Sequence, residues 1–254
     1  MTIRVLAAVL FLGASGFAQW TEVQKAWNST AGASPATTTV SLPTVGAKHV
    51  VLASVLYLGT ATGFTMAMTD GNGHSFTQTP NSPCVYSTGE KVWLFYLTNT
   101  PAASMTLTAT PSVAHGVSVH AVEFTPDIGV ATFDSDVCAN PTSGTTPINT
   151  PSITPRKSGV LYAAALVDPN TGAGAISAAG ASWTGGTQGI IASDSNDTAD
   201  EYQFAATGAT AVNWTTTGSA GSGWVAMSMS MFSVPPPNVT LKGKVAVKGK
   251  IVLK

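Results

Sequence analysis

Apolar residues in this chain recur in short runs of β character, each closed by Gly, Pro, Asn or Ser, and no stretch carries a convincing helical period. His49–Leu58 (HVVLASVLYL) is a long apolar run, which suits a central strand of a sandwich. Thr65–Thr69 alternates cleanly and runs into Asp70-Gly71-Asn72-Gly73, a strong turn signal, so a hairpin returning through Ser75–Thr79 is expected. Further strands are expected at Lys91–Thr98, Met105–Thr110, Val117–Phe124, Gly159–Val167, Tyr202–Ala206, Ala211–Thr216 and Trp224–Ser233. A looser stretch is expected from Asp134 to Thr154. The spacing predicts an all-β fold: a two-sheet β-sandwich, jelly-roll-like, with a short C-terminal tail competent to form a strand.

Both ends of the chain differ from its body. Arg4, the apolar run Val5–Leu12 and the small residues Gly16 and Ala18 read as a signal peptide over residues 1–18, with cleavage after Ala18. The run is too short to span a bilayer as a helix, and no later segment has the length of a transmembrane helix. The sandwich is expected over 19–234, followed by a proline linker at 235–237 and a lysine-rich tail at 238–254. In that tail Val239, Leu241, Val245, Val247, Ile251 and Leu253 occupy odd positions and all five lysines even ones, so an extended tail has one apolar and one cationic edge. Residues 19–237 hold five basic and twelve acidic side chains, a net of −7, against +5 for the tail.

Composition sharpens this picture. Only 9% of the 254 residues are charged while 44% are hydrophobic, so the chain has the apolar surface to offset its ordering entropy. Its solubility then rests on Thr, Ser and Asn. The acidic body argues against a nucleic-acid partner. Two cysteines in an exported chain, Cys84 and Cys138, point to one disulfide, closing a loop of about 55 residues worth roughly 4 kcal/mol in the chain-entropy view.

Candidate chemistry is sparse. Calcium is the one cofactor the sequence suggests: Asp194, Asn196, Asp197 and Asp200 lie in an acidic stretch that could offer several oxygen ligands, with Asp134 and Asp136 as a lesser set. A solvated turn between strands is the plainer account of that stretch. Trp183 and Trp214, set among Gly and Thr, are the candidates for a polysaccharide-stacking platform. Glu123 and Glu90 are the carboxylates available to a glycosidase or lyase, though nothing in the sequence pairs them. Gly218-Ser219-Ala220-Gly221-Ser222-Gly223 misses the nucleophile-elbow pattern, and the five-residue gap between His115 and His120 puts them on opposite faces, against a shared metal.

Three segments carry a resemblance: Met68–Ser82 (MTDGNGHSFTQTPNS), Lys91–Ser112 (KVWLFYLTNTPAASMTLTATPS) and Val117–Gly129 (VSVHAVEFTPDIG). Together with Glu201–Phe232 they resemble a secreted bacterial β-sandwich module of cell-surface and extracellular proteins. The resemblance implies a jelly-roll-like fold and carries over no catalytic residue. The expected function is an exported, non-catalytic structural or adhesive protein of a surface or matrix, secreted by a bacterium. Its partners would be itself or other surface proteins, with self-assembly into filaments by strand addition. The alternatives are a carbohydrate-binding module and a jelly-roll glycoside hydrolase or lyase.

Overall fold

In a computed structural model of the chain, the residues described are 19–30, 37–57, 63–86, 89–140, 148–157, 159–168, 176–177, 184–191, 196–204, 208–216 and 223–235. Among them there are strands and turns and no helix. The signal segment and the lysine tail lie outside the described residues.

The first half of the chain supplies β1 (Thr21–Ser29), β2 (Thr38–Val45), β3 (Val50–Tyr57), β4 (Met66–Thr69), β5 (Thr77–Gln78), β6 (Cys84–Val85), β7 (Lys91–Thr98), β8 (Ala103–Pro111) and β9 (Ser118–Thr125). The second half supplies β10 (Val130–Ala139), β11 (Ile148–Asn149), β12 (Gly159–Asp168), β13 (Ile176–Ser177), β14 (Thr184–Ile191), β15 (Asn196–Phe204), β16 (Asn213–Thr216) and β17 (Gly223–Val234). All pairs are antiparallel. They form four sheets. Sheet I runs β1-β9-β3-β7-β5 with β6 also on β7, sheet II β2-β8-β4, sheet III β10-β17-β12-β15-β14 and sheet IV β11-β16-β13.

The chain is therefore an all-β sandwich, and the sandwich is doubled. One hydrophobic cluster lies between sheets I and II, a second between I and III, and a third between III and IV. The layer order is II, I, III, IV. This explains the unbroken apolar runs: β3 is buried at every position because Leu52 and Leu56 face sheet III while Val51, Ala53, Val55 and Tyr57 face sheet II. In β12, Val160, Tyr162, Ala164 and Leu166 likewise oppose Leu161, Ala163, Ala165 and Val167. In β17 both alternating sets are buried, so Ser228 and Ser230 lie inside as well as Met227, Met229 and Met231.

The strands depart from the expected layout at four places. The expected hairpin begins with the Thr69–Ser75 bridge and the Phe76 N–H donating to Met68 O, but Thr77–Gln78 then leaves sheet II and pairs with β7 in sheet I. The stretch expected to be loose after Asp134 opens inside β10. The polar segment Thr21–Ser29, which has no apolar run to announce it, is edge strand β1. The acidic stretch from Asn196 onward is strand β15 rather than a turn, since Val160–Val167 supplies it with a full ladder of partners.

The halves meet through Pro126-Asp127-Ile128-Gly129 between β9 and β10. Gly129 has φ +58 and packs so closely on the Val234 carbonyl that a Cβ would collide with it. Only glycine satisfies both demands.

Candidate functional site

The residues singled out from sequence are scattered. Cys84 and Cys138 do form a disulfide, with Cα atoms 5.4 Å apart, tying β6 of sheet I to β10 of sheet III. Trp214 is wholly buried in the cluster between sheets III and IV, where β16 crosses Ile148, so its indole offers no face to a sugar. Trp183, Asp194 and the tail residues Val239, Leu241, Val245, Val247, Ile251 and Leu253 lie outside the described residues, as do the side chains of Asn196 and Asp197. Asp200 is buried on β15 and turned toward sheet I, away from the solvent a cation would come from. Among the described residues no three His, Cys, Asp or Glu side chains group so as to hold a metal ion.

Glu123 is buried and saturated. It accepts the Gln24 side-chain amide at 2.6 Å and the Gly46 N–H at 2.7 Å, and lies 2.5 Å from His49 Nδ1. Gly46 fits because a Cβ there would strike the His49 ring. This carboxylate fastens the β2–β3 turn to sheet I, its oxygens engaged by Gln24, Gly46 and His49. Asp134 and Asp136 are likewise committed: Asp134 to the Arg156 side chain at 2.8 Å, Asp136 to the Asn81 N–H and side-chain amide at 2.9 and 3.0 Å. Asp70 closes its turn. Burial works against its charge, but the His74 ring and the N–H groups of His74 and Asn72 hold its carboxyl below the ordinary carboxylate value.

The largest constellation of reactive types was not legible in the sequence. Period-two alternation puts Ser118 and His120 on the face of β9 that looks at sheet III, and Thr198 and Asp200 on the face of β15 that looks back. His120 Nε2 lies 3.0 Å from Ser118 Oγ and 2.9 Å from Thr198 Oγ1, and its Nδ1 lies 3.4 Å from Asp200 Oδ1. The two hydroxyls are 3.2 Å apart. Beside them the Tyr162 hydroxyl donates to Ser54 Oγ at 3.2 Å. Burial pushes that phenol well above its ordinary value, and the neighbouring Asp200 carboxylate adds to the effect. Trp27 on β1 stacks over His120, ring centroids 6.2 Å apart.

Hydroxyl, imidazole and carboxylate stand in the order of a nucleophilic triad. Yet Ser118 and His120 are 0% exposed and Asp200 1%, so no acyl group can reach the hydroxyl in this arrangement. What the cluster does here is satisfy polar groups across the seam between sheets I and III. His115, on the opposite side of sheet I, packs edge-on to Tyr57 at 4.7 Å and takes no part. No family model matches the chain, and neither the curated proteins nor the solved structures yield a significant match.

Proposed function

We propose that the protein is an exported, non-catalytic structural or adhesive component of a bacterial surface or extracellular matrix, which assembles by adding its lysine tail to a sheet edge of a neighbouring copy. The observation that carries this reading is the outward face of sheet II. There Thr39, Ser41, Thr44, Ser104, Thr106 and Thr110 are exposed, and none of the described residues of its strands puts an aromatic ring or carboxylate among them. A sugar-binding or hydrolytic sheet needs stacking rings and paired acids. A hydroxyl-covered sheet of low charge suits packing against like surfaces.

Three further features support it. Glu123 with His49, Asp200 with His120, Asp134 with Arg156 and Asp136 with Asn81 are spent on internal contacts. A buried disulfide is compatible with an oxidising, extracellular setting. The tail, net +5 against a body of −7, supplies attraction between copies as well as strand-forming alternation.

The test is electron microscopy and light scattering of the purified secreted protein beside a variant ending at Pro237. Assemblies that vanish with the tail support the proposal. Assembly unchanged by the truncation refutes the tail as its agent, and a strictly monomeric full-length protein refutes assembly itself.

A further inference from the structure

The second half of the chain repeats the first, strand for strand. Reading β10, β11, β12, β13, β15, β16 and β17 for β1, β2, β3, β4, β7, β8 and β9, and β14 for β5 and β6 together, turns sheet I into sheet III and sheet II into sheet IV. The register repeats too. Aligning Val50 with Val160 brings Leu52 onto Tyr162, Tyr96 onto Tyr202 and Phe124 onto Met231. The Val40–Leu107 pair falls on Ile148–Trp214. The one irregularity of β1, between Glu22 and Gln24, falls on the one irregularity of β10, between Phe133 and Ser135. A bulge repeated in place is a designed feature rather than an accident of packing. Faint sequence traces agree: Gly73-His74-Ser75-Phe76-Thr77 beside Gly180-Ala181-Ser182-Trp183-Thr184, and Gly116-Val117 beside Gly223-Trp224.

The two repeats join as the subunits of a two-fold dimer do. The counterparts β3 and β12 meet each other, β7 packs on β17, and their counterparts β15 and β9 pack on each other in turn. The two sides of this pseudo-two-fold interface differ in chemistry. On the β7–β17 side, Val92 and Leu94 share the core with Val225 and Met227, and Tyr96 stacks on Phe133 at 5.4 Å. On the β9–β15 side the corresponding residues are Thr198 and Asp200, Ser118 and His120, with Tyr202 donating to Glu22. The fold thus contains its own control: the same packing is achieved once with apolar residues and once with a buried polar seam.

We infer that this seam, Ser118, His120, Thr198 and Asp200, is a pairing code that makes the first repeat accept the second and reject a like repeat from another chain. If two first repeats met, His120 would face Leu94; if two second repeats met, Asp200 would face Met227. Each strands a buried polar group, which is costly. In a like pair both sides of the interface carry the mismatch, because β7 would meet β9 twice, or β15 would meet β17 twice. The disulfide obeys the same rule. Cys84 meets Cys138 only in the mixed pair, since the position matching Cys138 in the first repeat is Trp27.

The test is oxidative refolding of the full chain over a range of protein concentrations, counting free thiols and measuring mass. The variant Ser118→Val, His120→Met, Thr198→Val, Asp200→Leu gives each seam residue its counterpart from the apolar side; His120→Met with Asp200→Leu is a milder form. The wild type should form Cys84–Cys138 at every concentration. The variants should fold with an unfolding midpoint no lower than wild type, yet show several-fold more free thiol and more cross-chain species as concentration rises. The thiol count does not depend on the tail, so it separates this rule from tail-driven assembly. Complete disulfide formation in both variants at all concentrations would overturn the inference. So would failure of both variants to fold or a lowered midpoint in both, which make the seam a stability element, or labelling of Ser118 by a fluorophosphonate, which makes it a nucleophile.

Discussion

Cys84 and Cys138, 54 residues apart in sequence, bond across the interface between the two repeats rather than within either one. β6, which carries Cys84, pairs with β7, and β10, which carries Cys138, pairs with β17. The disulfide therefore sits on the apolar side of the pseudo-two-fold axis, and the polar seam on the other.

Removing the bridge should loosen the union of the repeats. A Cys84→Ser, Cys138→Ser variant is expected to lose about 4 kcal/mol by the loop-closure argument. Urea denaturation should show this as a lower midpoint. No change beyond a few tenths of a kcal/mol would mean that the interface holds without its staple.

The seam should punish single substitutions and forgive matched ones. Asp200→Leu alone leaves His120 without its carboxylate in a dry interior, at a cost of roughly 1–3 kcal/mol. Adding His120→Met should recover that loss in full. A double-mutant cycle by chemical denaturation checks this, and strictly additive losses would count against coupling between the two side chains.

Glu123 is predicted to be structural. Glu123→Gln keeps the shape but weakens acceptance from Gln24 and Gly46, and should cost roughly 1–3 kcal/mol. Amide hydrogen exchange should report faster opening of the turn around Gly46. Protection there equal to wild type would sink the assignment.

Asp70 should make the protein acid-sensitive. Its folded carboxyl sits below the unfolded value of 3.8, so its stabilising contribution is complete above that value and is lost as the pH falls through the lower folded one. Asp70→Asn should be less stable than wild type near neutrality, with the difference shrinking in strong acid. Thermal unfolding across pH 2–6 in roughly half-unit steps measures it. A constant gap would contradict the linkage.

The strands that were plain in the sequence are those buried on both faces. His49–Leu58, Lys91–Thr98, Gly159–Val167 and Trp224–Ser233 are apolar because sheets I and III lie inside the stack, and each appears close to its expected bounds. β1 and β10 escaped notice because an edge strand with one wet face needs no apolar run. The cysteine pair was legible by count alone. The acidic stretch misled because carboxylates are normally solvated, and nothing local announces that Asp200 has an imidazole waiting on a strand eighty residues earlier.

That this chain is all-β, where its central strands run and which cysteines bond are written locally, in alternation, turn residues and a count of two. That the sandwich is built twice, that Trp214 lies inside, and that Ser118, His120, Thr198 and Asp200 share one seam came from contacts between strands far apart in the chain. The repeats preserve register and topology while exchanging Leu for Asp and Met for His. What a side chain means at such positions depends on what lies across from it, and that is set by the fold.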